Sequence, residues 1–201
     1  MIRFAALSSA ALLSLAACNA PPAEKAPEPA PQQVDPGTPP APSAPAIPIL
    51  NVDGLAPLRI GMTLAEVTAA AGPDAQPDAV GGPDPAACDE FRPERAPPGT
   101  LVMMENGRLT RVSLIRGSTV KTDRGFALGD AAPAIKTAYG AEAEVTPHKY
   151  VGAPAEYITI QTRIGRTEAQ NRWLVYEIGE DGRVQTIRTG GASVHYVEGC
   201  A

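Results

Sequence analysis

Hydrophobic and polar positions follow four patterns along this chain of 201 residues. An uncharged apolar stretch, residues 4–17, follows a single cation, Arg3, and a proline-rich stretch, residues 19–48, comes after it. Two later segments, residues 100–115 and 173–188, alternate the branched and aromatic residues typical of strands. Short segments bounded by glycine carry the start and stop signals of helices.

The glycine-bounded segments predict two short helices. In the first, Thr63 and Glu66 have the spacing of a capping box, and Gly72 ends the helix. In the second, Asp130 is the expected N-cap and Gly140 the stop. Helices of about nine residues are not stable alone in water, so we expect each to lie on a sheet.

Two β-hairpins are predicted from turn dipeptides. Asn-Gly at 106–107 divides the first strand-like segment, and Asp-Gly at 181–182 divides the second. Residues 157–162 predict a further strand, and residues 193–197 predict a last one.

These elements predict an α+β fold, a tandem repeat of a short helix plus an antiparallel β-hairpin or meander, with the helices packed on a sheet. The repeat is visible when residues 60–72 are laid on 128–140, because glycines and apolar positions coincide. We expect the two repeats at about 55–117 and 123–200, within one α+β domain of residues 49–201.

The N-terminal stretch predicts a signal segment of residues 1–17. As a helix it reaches about 21 Å, too short for about 30 Å of hydrocarbon. Its end, Leu-Ala-Ala-Cys18, resembles the lipobox of bacterial lipoproteins, and the resemblance implies that acyl chains such as palmitate are attached to Cys18. Residue 19 is Asn and not the Asp of the inner-membrane retention signal, which implies a lipid anchor in the outer membrane of a Gram-negative source. We expect the chain to face the periplasm. The alternative is an ordinary signal peptide that happens to precede a cysteine.

Residues 18–48 are interpreted as the lipidated cysteine and a proline-rich disordered tether. Residues 19–48 hold 11 of the 22 prolines and only two bulky apolar side chains, Val34 and Ile47. Such a composition buries too little surface to fold and favours an extended spacer. A proline-rich ligand for a partner is the alternative, although no PxxP motif with basic flanks is present.

The stretch Gly-Met-Thr-x-x-Glu-Val at 61–67 resembles the SmpA/OmlA lipoproteins and the β-lactamase-inhibitor-protein fold. Residues 59–72 carry most of the likeness, and 125–140 repeat it more weakly. The tail, 148–150 and 196–200, resembles uncharacterised proteobacterial lipoproteins. The resemblance implies a fold, together with binding of other proteins or assistance in outer-membrane assembly, and no enzymatic activity.

Charge and cysteine content narrow the function further. The net charge is −5, from 17 cations and 22 anions, and loss of Arg3 with the signal segment would make it more negative. A negative charge argues against a nucleic-acid partner. Outside the cytoplasm, the remaining pair, Cys88 and Cys200, most simply forms a disulfide. Closing so long a loop is worth about 4–5 kcal/mol. Two free thiols, or a metal held by two cysteines, are the alternatives.

Residues typical of catalysis are few. The chain has two histidines and none of the HExxH, GxSxG, GxxxxGK[ST] or GxGxxG motifs, so we expect no enzyme, no metal and no cofactor. His148 is interpreted as a polar loop residue and His195 as a solvent-facing strand residue. A small periplasmic hydrolase that uses His148 or His195 is the alternative.

The hairpins carry four arginines that are weak candidates for binding, Arg108, Arg111, Arg183 and Arg188. On a common face they could contact an acidic partner, although charges that block edge-to-edge aggregation are commoner. The sequence therefore predicts a membrane-anchored periplasmic lipoprotein that acts as a binding module without catalysis. Its partners would be the lipid bilayer, through the acyl chains, and an unknown envelope protein or cell-wall component.

Overall fold

Short strands dominate the backbone of this chain. The structure is a computed structural model, and it describes residues 47–79, 81–163, 165, 167 and 170–200. The described elements, in chain order, are β1 (Ile49–Asn51), β2 (Gly54–Leu55), β3 (Leu58–Arg59), α1 (Leu64–Ala71), β4 (Cys88–Phe91), β5 (Thr100–Glu105), β6 (Arg108–Leu114), β7 (Lys121–Thr122), α2 (Ala132–Tyr139), β8 (Ala143–Pro147), β9 (Glu156–Arg163), β10 (Asn171–Ile178) and β11 (Val184–Gly190). Two 3₁₀ turns, Gly140–Glu142 and Ala192–His195, complete them.

The N-terminal predictions fall outside this part of the chain. The signal segment 1–17, the lipidated Cys18 and the tether up to residue 46 all precede the first described residue, so they stay predictions together with the domain boundaries. Within the described residues, no helix has the length and apolar character needed to cross a bilayer.

The described strands form two sheets. The smaller sheet has the order β3-β2-β1-β7, and β1 pairs in parallel with β7. The larger sheet has seven strands in the order β4-β5-β6-β11-β10-β9-β8, and every neighbouring pair is antiparallel. In it β6 meets β11, so strands from distant parts of the sequence lie side by side.

Both predicted hairpins are confirmed. Asn106 and Gly107 have φ values of 49° and 73°, the double left-handed geometry that an Asn-Gly turn between β5 and β6 requires. Asp181 and Gly182 lie instead within a longer loop, residues 179–183, between β10 and β11. The predicted strand at 157–162 is confirmed as the centre of β9.

The predicted fold class, an α+β tandem repeat with helices packed on a sheet, is wrong. The chain is mostly β, with two sheets and two eight-residue α-helices among its described residues. The two hairpins do not form separate helix-plus-hairpin units, because β6 and β11 hydrogen-bond to each other within one sheet. The short strands of the smaller sheet, two or three residues each, are too brief to give a periodic sequence signal.

Two local predictions also need correction. The N-cap of α2 is Ala131, without a side-chain bond, whereas Asp130 accepts a hydrogen bond from the Ala127 amide at 2.8 Å. The predicted strand at 193–197 is replaced by the 3₁₀ turn Ala192–His195. In α1 the prediction is confirmed, because Thr63 and Glu66 make both bonds of the capping box.

The hydrophobic core lies against one face of the larger sheet. Every second side chain of β10 points into this core, namely Leu174, Tyr176 and Ile178. The same cluster includes Val67 of α1 and Ile135 of α2. Side chains at the intervening positions point to the opposite face because successive residues of a strand alternate. That opposite face, called here the polar face, carries Arg111, Ser113, Arg188, Val175, Glu177, Tyr157 and Thr159.

Candidate binding surface on the polar face

The end of the chain lies across the polar face. Residues 191–200, called here the C-terminal strap, contact β6, β10 and β11 through the 3₁₀ turn. Val194 of the strap is fully buried, as are Met103 and Val175 of the sheet, and all three stand outside the main core cluster. The strap therefore closes a small second apolar layer over the sheet.

A disulfide fixes the end of the strap. The predicted bond between Cys88 of β4 and Cys200 is confirmed, with a Cα–Cα distance of 5.5 Å across 112 residues of sequence. Gly199 passes so close to Glu90 that a Cβ there would overlap the carboxylate. The strap thus runs tightly along the edge of the sheet before it reaches the bond.

Arg111 fixes the middle of the strap. Its Nη1 donates hydrogen bonds to the carbonyl oxygens of Ser193 and Tyr196, both at 2.9 Å. Its Nη2 forms an ion pair with Glu90, and both side chains are largely buried. Burial lowers the pKa of Arg111 from its usual value, and the neighbouring Glu90 carboxylate acts against that shift. A guanidinium with these partners serves first to hold the strap on the sheet.

A second network of polar contacts starts at Arg188. This residue pairs with Glu177, whose other oxygen lies 3.4 Å from Nε2 of His148. The His148 ring stacks on Tyr157 with 4.8 Å between centroids. Its Nδ1 accepts two backbone N–H bonds at 3.2 Å, from Tyr150 and the residue after it. Since Nδ1 accepts, Nε2 carries the proton, and both ring nitrogens of His148 are occupied by the protein itself.

A small cavity of about 80 Å³ lies between the strap and the sheet. It combines three hydroxyl groups, a guanidinium, an imidazole and three valine side chains, supplied by Thr146, Tyr157, Thr159, Arg188, His195, Val175, Val194 and Val197. His195 also packs edge-on against Trp173, with 5.5 Å between the ring centroids. Partial burial lowers the pKa of His195, while the charge of Glu144 opposes this shift and that of Arg188 adds to it. The cavity therefore offers mixed hydrogen-bonding groups within an apolar frame.

An open depression of about 460 Å³ lies along the strap, beside the disulfide. Tyr196 lines it and is 45% exposed, and nearby Tyr150 is 59% exposed. The Tyr150 hydroxyl donates to Glu198 of the strap, and Lys149 lies 5.2 Å from the Tyr150 ring centroid. Exposed tyrosines are typical of binding surfaces, because the ring supplies apolar contact area and the hydroxyl a polar group.

The aromatic side chains of the described residues divide into two groups. Phe126, Tyr139 and Tyr176 contact one another in the core, and Phe91 belongs to the same core. The other tyrosines, the single tryptophan and both histidines lie on or beside the polar face. Sequence reasoning missed this grouping, although Trp173, Val175 and Glu177 at alternate positions of β10 were a readable signal for one strand.

The structure separates the four candidate arginines into two pairs. Arg111 and Arg188 share the polar face, where both are buried in ion pairs. Arg108 and Arg183 are exposed at the ends of the hairpin loops, where they donate to the carbonyls of Gly61 at 3.2 Å and Gly129 at 2.8 Å. The four therefore do not form one surface, and a role for them in partner binding stays a prediction.

The histidines are both near the polar face, and neither placement matches its prediction fully. His148 has a side chain only 10% exposed, because it sits under its own loop against Tyr157. His195 is exposed, but it lies in the strap and not in a strand. Within the described part of the chain, no group of three or more metal-binding side chains is brought together.

Comparisons of the chain with protein-family models, with curated proteins and with solved structures found no match. The resemblance to the SmpA/OmlA lipoproteins therefore stays a prediction from the sequence.

Proposed function

We propose that this chain is a lipid-anchored periplasmic lipoprotein of the outer membrane that binds an envelope partner on its polar face and performs no catalysis. The single observation that carries the proposal is the concentration of Trp173, three tyrosines and both histidines around the C-terminal strap. Aromatic side chains with a polar tip supply contact area at little entropic cost, and they dominate the energetics of protein interfaces.

The state of the two histidines supports binding over hydrolysis. A general base needs a free nitrogen within reach of its substrate. In His148, Nδ1 accepts backbone N–H groups and Nε2 faces Glu177. Among the described residues, His195 packs against Trp173 and is hydrogen-bonded to no carboxylate, and Glu144 acts on it only through its charge. Within the part of the chain that the structure describes, the alternative of a hydrolase thus lacks an assembled acid–base pair.

The anchor and the tether fit this function physically. A proline-rich spacer of about thirty residues reaches at most about 90 Å, so the bound partner need not lie at the membrane surface. Several acyl chains on Cys18 hold the chain stably, at about 0.8 kcal/mol for each buried CH₂.

Photo-crosslinking in intact cells tests the polar face directly. A photoreactive phenylalanine analogue replaces Tyr150 or Tyr196 in the full chain, and the matched control places it at Leu64. Leu64 is 50% exposed on α1, a helix whose buried side chains join the core on the other side of the sheet. We expect one reproducible adduct, protein or glycan, from positions 150 and 196 and none from 64. Equal labelling from all three positions, or none, contradicts the proposal.

Cell fractionation tests the anchor separately. The variant Cys18→Ala cannot receive a lipid on its thiol, so we expect it in the soluble periplasmic fraction while the parent chain stays with the membrane. A variant that remains with the membrane contradicts the lipid anchor and leaves the binding face to be judged by crosslinking alone.

A further inference from the structure

The two edge strands of the seven-stranded sheet differ in how far other described residues cover their backbone. Along the β4 edge, Ala75 donates a hydrogen bond to the Arg92 carbonyl at 2.8 Å, and Gly82 lies against the carbonyl of Cys88. The opposite edge is β8, in which four of five residues are exposed. An exposed edge strand presents unpaired backbone donors and acceptors, which are a template for another strand.

The direction of the free backbone groups on β8 follows from its register. Pro147 lies opposite Glu156 of β9 at a position whose backbone faces away from β9, and because proline has no N–H the outer edge lacks a donor there. The next residue, His148, donates its N–H to Ala155 at 3.3 Å. Because bonding alternates along an antiparallel pair, Thr146 faces β9 with its backbone groups, and Val145 directs its N–H and C=O away from the sheet.

An apolar cleft of about 560 Å³ lies beside this edge. Its apolar walls come from β8, the first turn of α2 and the loop before β9, namely Val145, Pro147, Pro133, Val151 and Pro154. Val145 is 43% exposed, which is high for a large apolar side chain on a strand. At its border, Lys136 and Glu156 form an ion pair at 2.5 Å, so these two charges neutralise each other.

We infer that β8 is a docking edge for an extended segment of a partner protein, which adds as an eighth strand and places alternate apolar side chains in the cleft. Among the described residues, the N–H and C=O of Val145 have no partner, so they select a partner backbone. The cleft on the same side selects apolar residues at every second position. Glu144 is exposed on β8 and favours a basic residue across from it. The inference goes beyond the proposed function, which concerns the polar face, and its partner is a protein segment.

The test uses a defined probe, the peptide Lys-Val-Thr-Val-Thr-Val-Lys, titrated into the isotope-labelled full-length chain and followed by NMR. We expect the Val145 amide to shift and to gain protection from hydrogen exchange at millimolar peptide. A peptide that is N-methylated at alternate residues cannot form the ladder, so we expect it to leave this amide unchanged.

Two variants of one residue separate backbone pairing from packing. Val145→Pro removes the outward N–H without touching a bond to β9, so the fold is kept. We expect it to weaken peptide binding about tenfold. Val145→Thr has nearly the same shape and keeps the N–H, so we expect a smaller loss.

Three outcomes overturn the inference. The first is an unchanged Val145 amide, and the second is equal binding by the parent chain and Val145→Pro. The third is self-association of the chain that Val145→Pro abolishes, since the occupant of the edge is then a second copy. Crosslinking from Tyr196 in the strap reports on the polar face, whereas Tyr150 directly precedes Val151 of the cleft. The result at Tyr196 therefore distinguishes failure of the docking edge from failure of the proposed function.

Discussion

Replacing Arg111 by methionine removes the group that holds the middle of the strap. The substitution deletes the ion pair with Glu90 and the two hydrogen bonds to Ser193 and Tyr196. Methionine fills a similar space with a flexible apolar side chain, so the change acts mainly through charge and hydrogen bonding.

The magnitude follows from burial. The side chain of Arg111 is 4% exposed and that of Glu90 is 11% exposed, so little water is available to replace the lost partner. Removing one member of a buried ion pair costs about 3–5 kcal/mol, because the other charge stays buried without compensation. The double variant Arg111→Met with Glu90→Leu removes both charges. We expect the double variant to recover most of the lost free energy of unfolding. About 1–3 kcal/mol stays lost, because the strap carbonyls keep no donor.

Urea denaturation with the disulfide intact measures the free energy of unfolding for the parent, both single variants and the double variant. Because domains of this size have only about 5–15 kcal/mol in total, Arg111→Lys is included as a milder change that keeps the charge but loses the forked geometry. Hydrogen exchange of amides in residues 192–199 reports whether the strap loosens before the sheet does.

Two results would refute this reasoning. If Arg111→Met lies within about 1 kcal/mol of the parent, the pair is not a buried clamp. If the double variant is less stable than Arg111→Met, the buried Glu90 charge is not the source of the loss.

Three further predictions concern the disulfide, the helix cap and pH. Replacing Cys88 and Cys200 by alanine opens a connection that spans 112 residues, so we expect urea unfolding to show a loss of about 4–5 kcal/mol, and a loss below about 1 kcal/mol would contradict a stabilising bond. Thr63→Ala removes the capping box and should cost about 1 kcal/mol by the same assay, whereas Thr63→Ser keeps the cap and should cost little; equal losses would exclude capping as the cause. Because the pKa of His195 is lowered from 6.5 by burial, the unfolded chain binds more protons near that value; stability is therefore full above about pH 6.5 and decreases as the pH falls toward the lower folded pKa. His195→Gln should flatten this decrease in thermal melts recorded across the range, and an unchanged pH slope would rule out His195.

The candidate site shows which of its features residue patterns can predict. The pairing of Cys88 with Cys200 follows from counting cysteines, because two remain once Cys18 is assigned to the predicted lipid anchor and the chain is predicted to lie outside the cytoplasm. The positions of Arg111 and Arg188 do not follow from any pattern, since strand alternation gives their face but not the strap that covers it. His195 illustrates the same point, because it lies in a segment whose alternating pattern predicts a strand but which forms a 3₁₀ turn.

The sequence by itself determined the local structure of turns and helix caps. The Asn106-Gly107 turn and the Thr63–Glu66 cap involve residues at most three apart, and their backbone angles and hydrogen bonds depend on those residue types. The tertiary structure decided that β6 joins β11 and that the strap covers their polar face. These contacts connect residues about eighty positions apart, as Arg111 and Ser193 do. Such pairings are selected by the burial and hydrogen bonding of the whole sheet, which no short window of sequence contains.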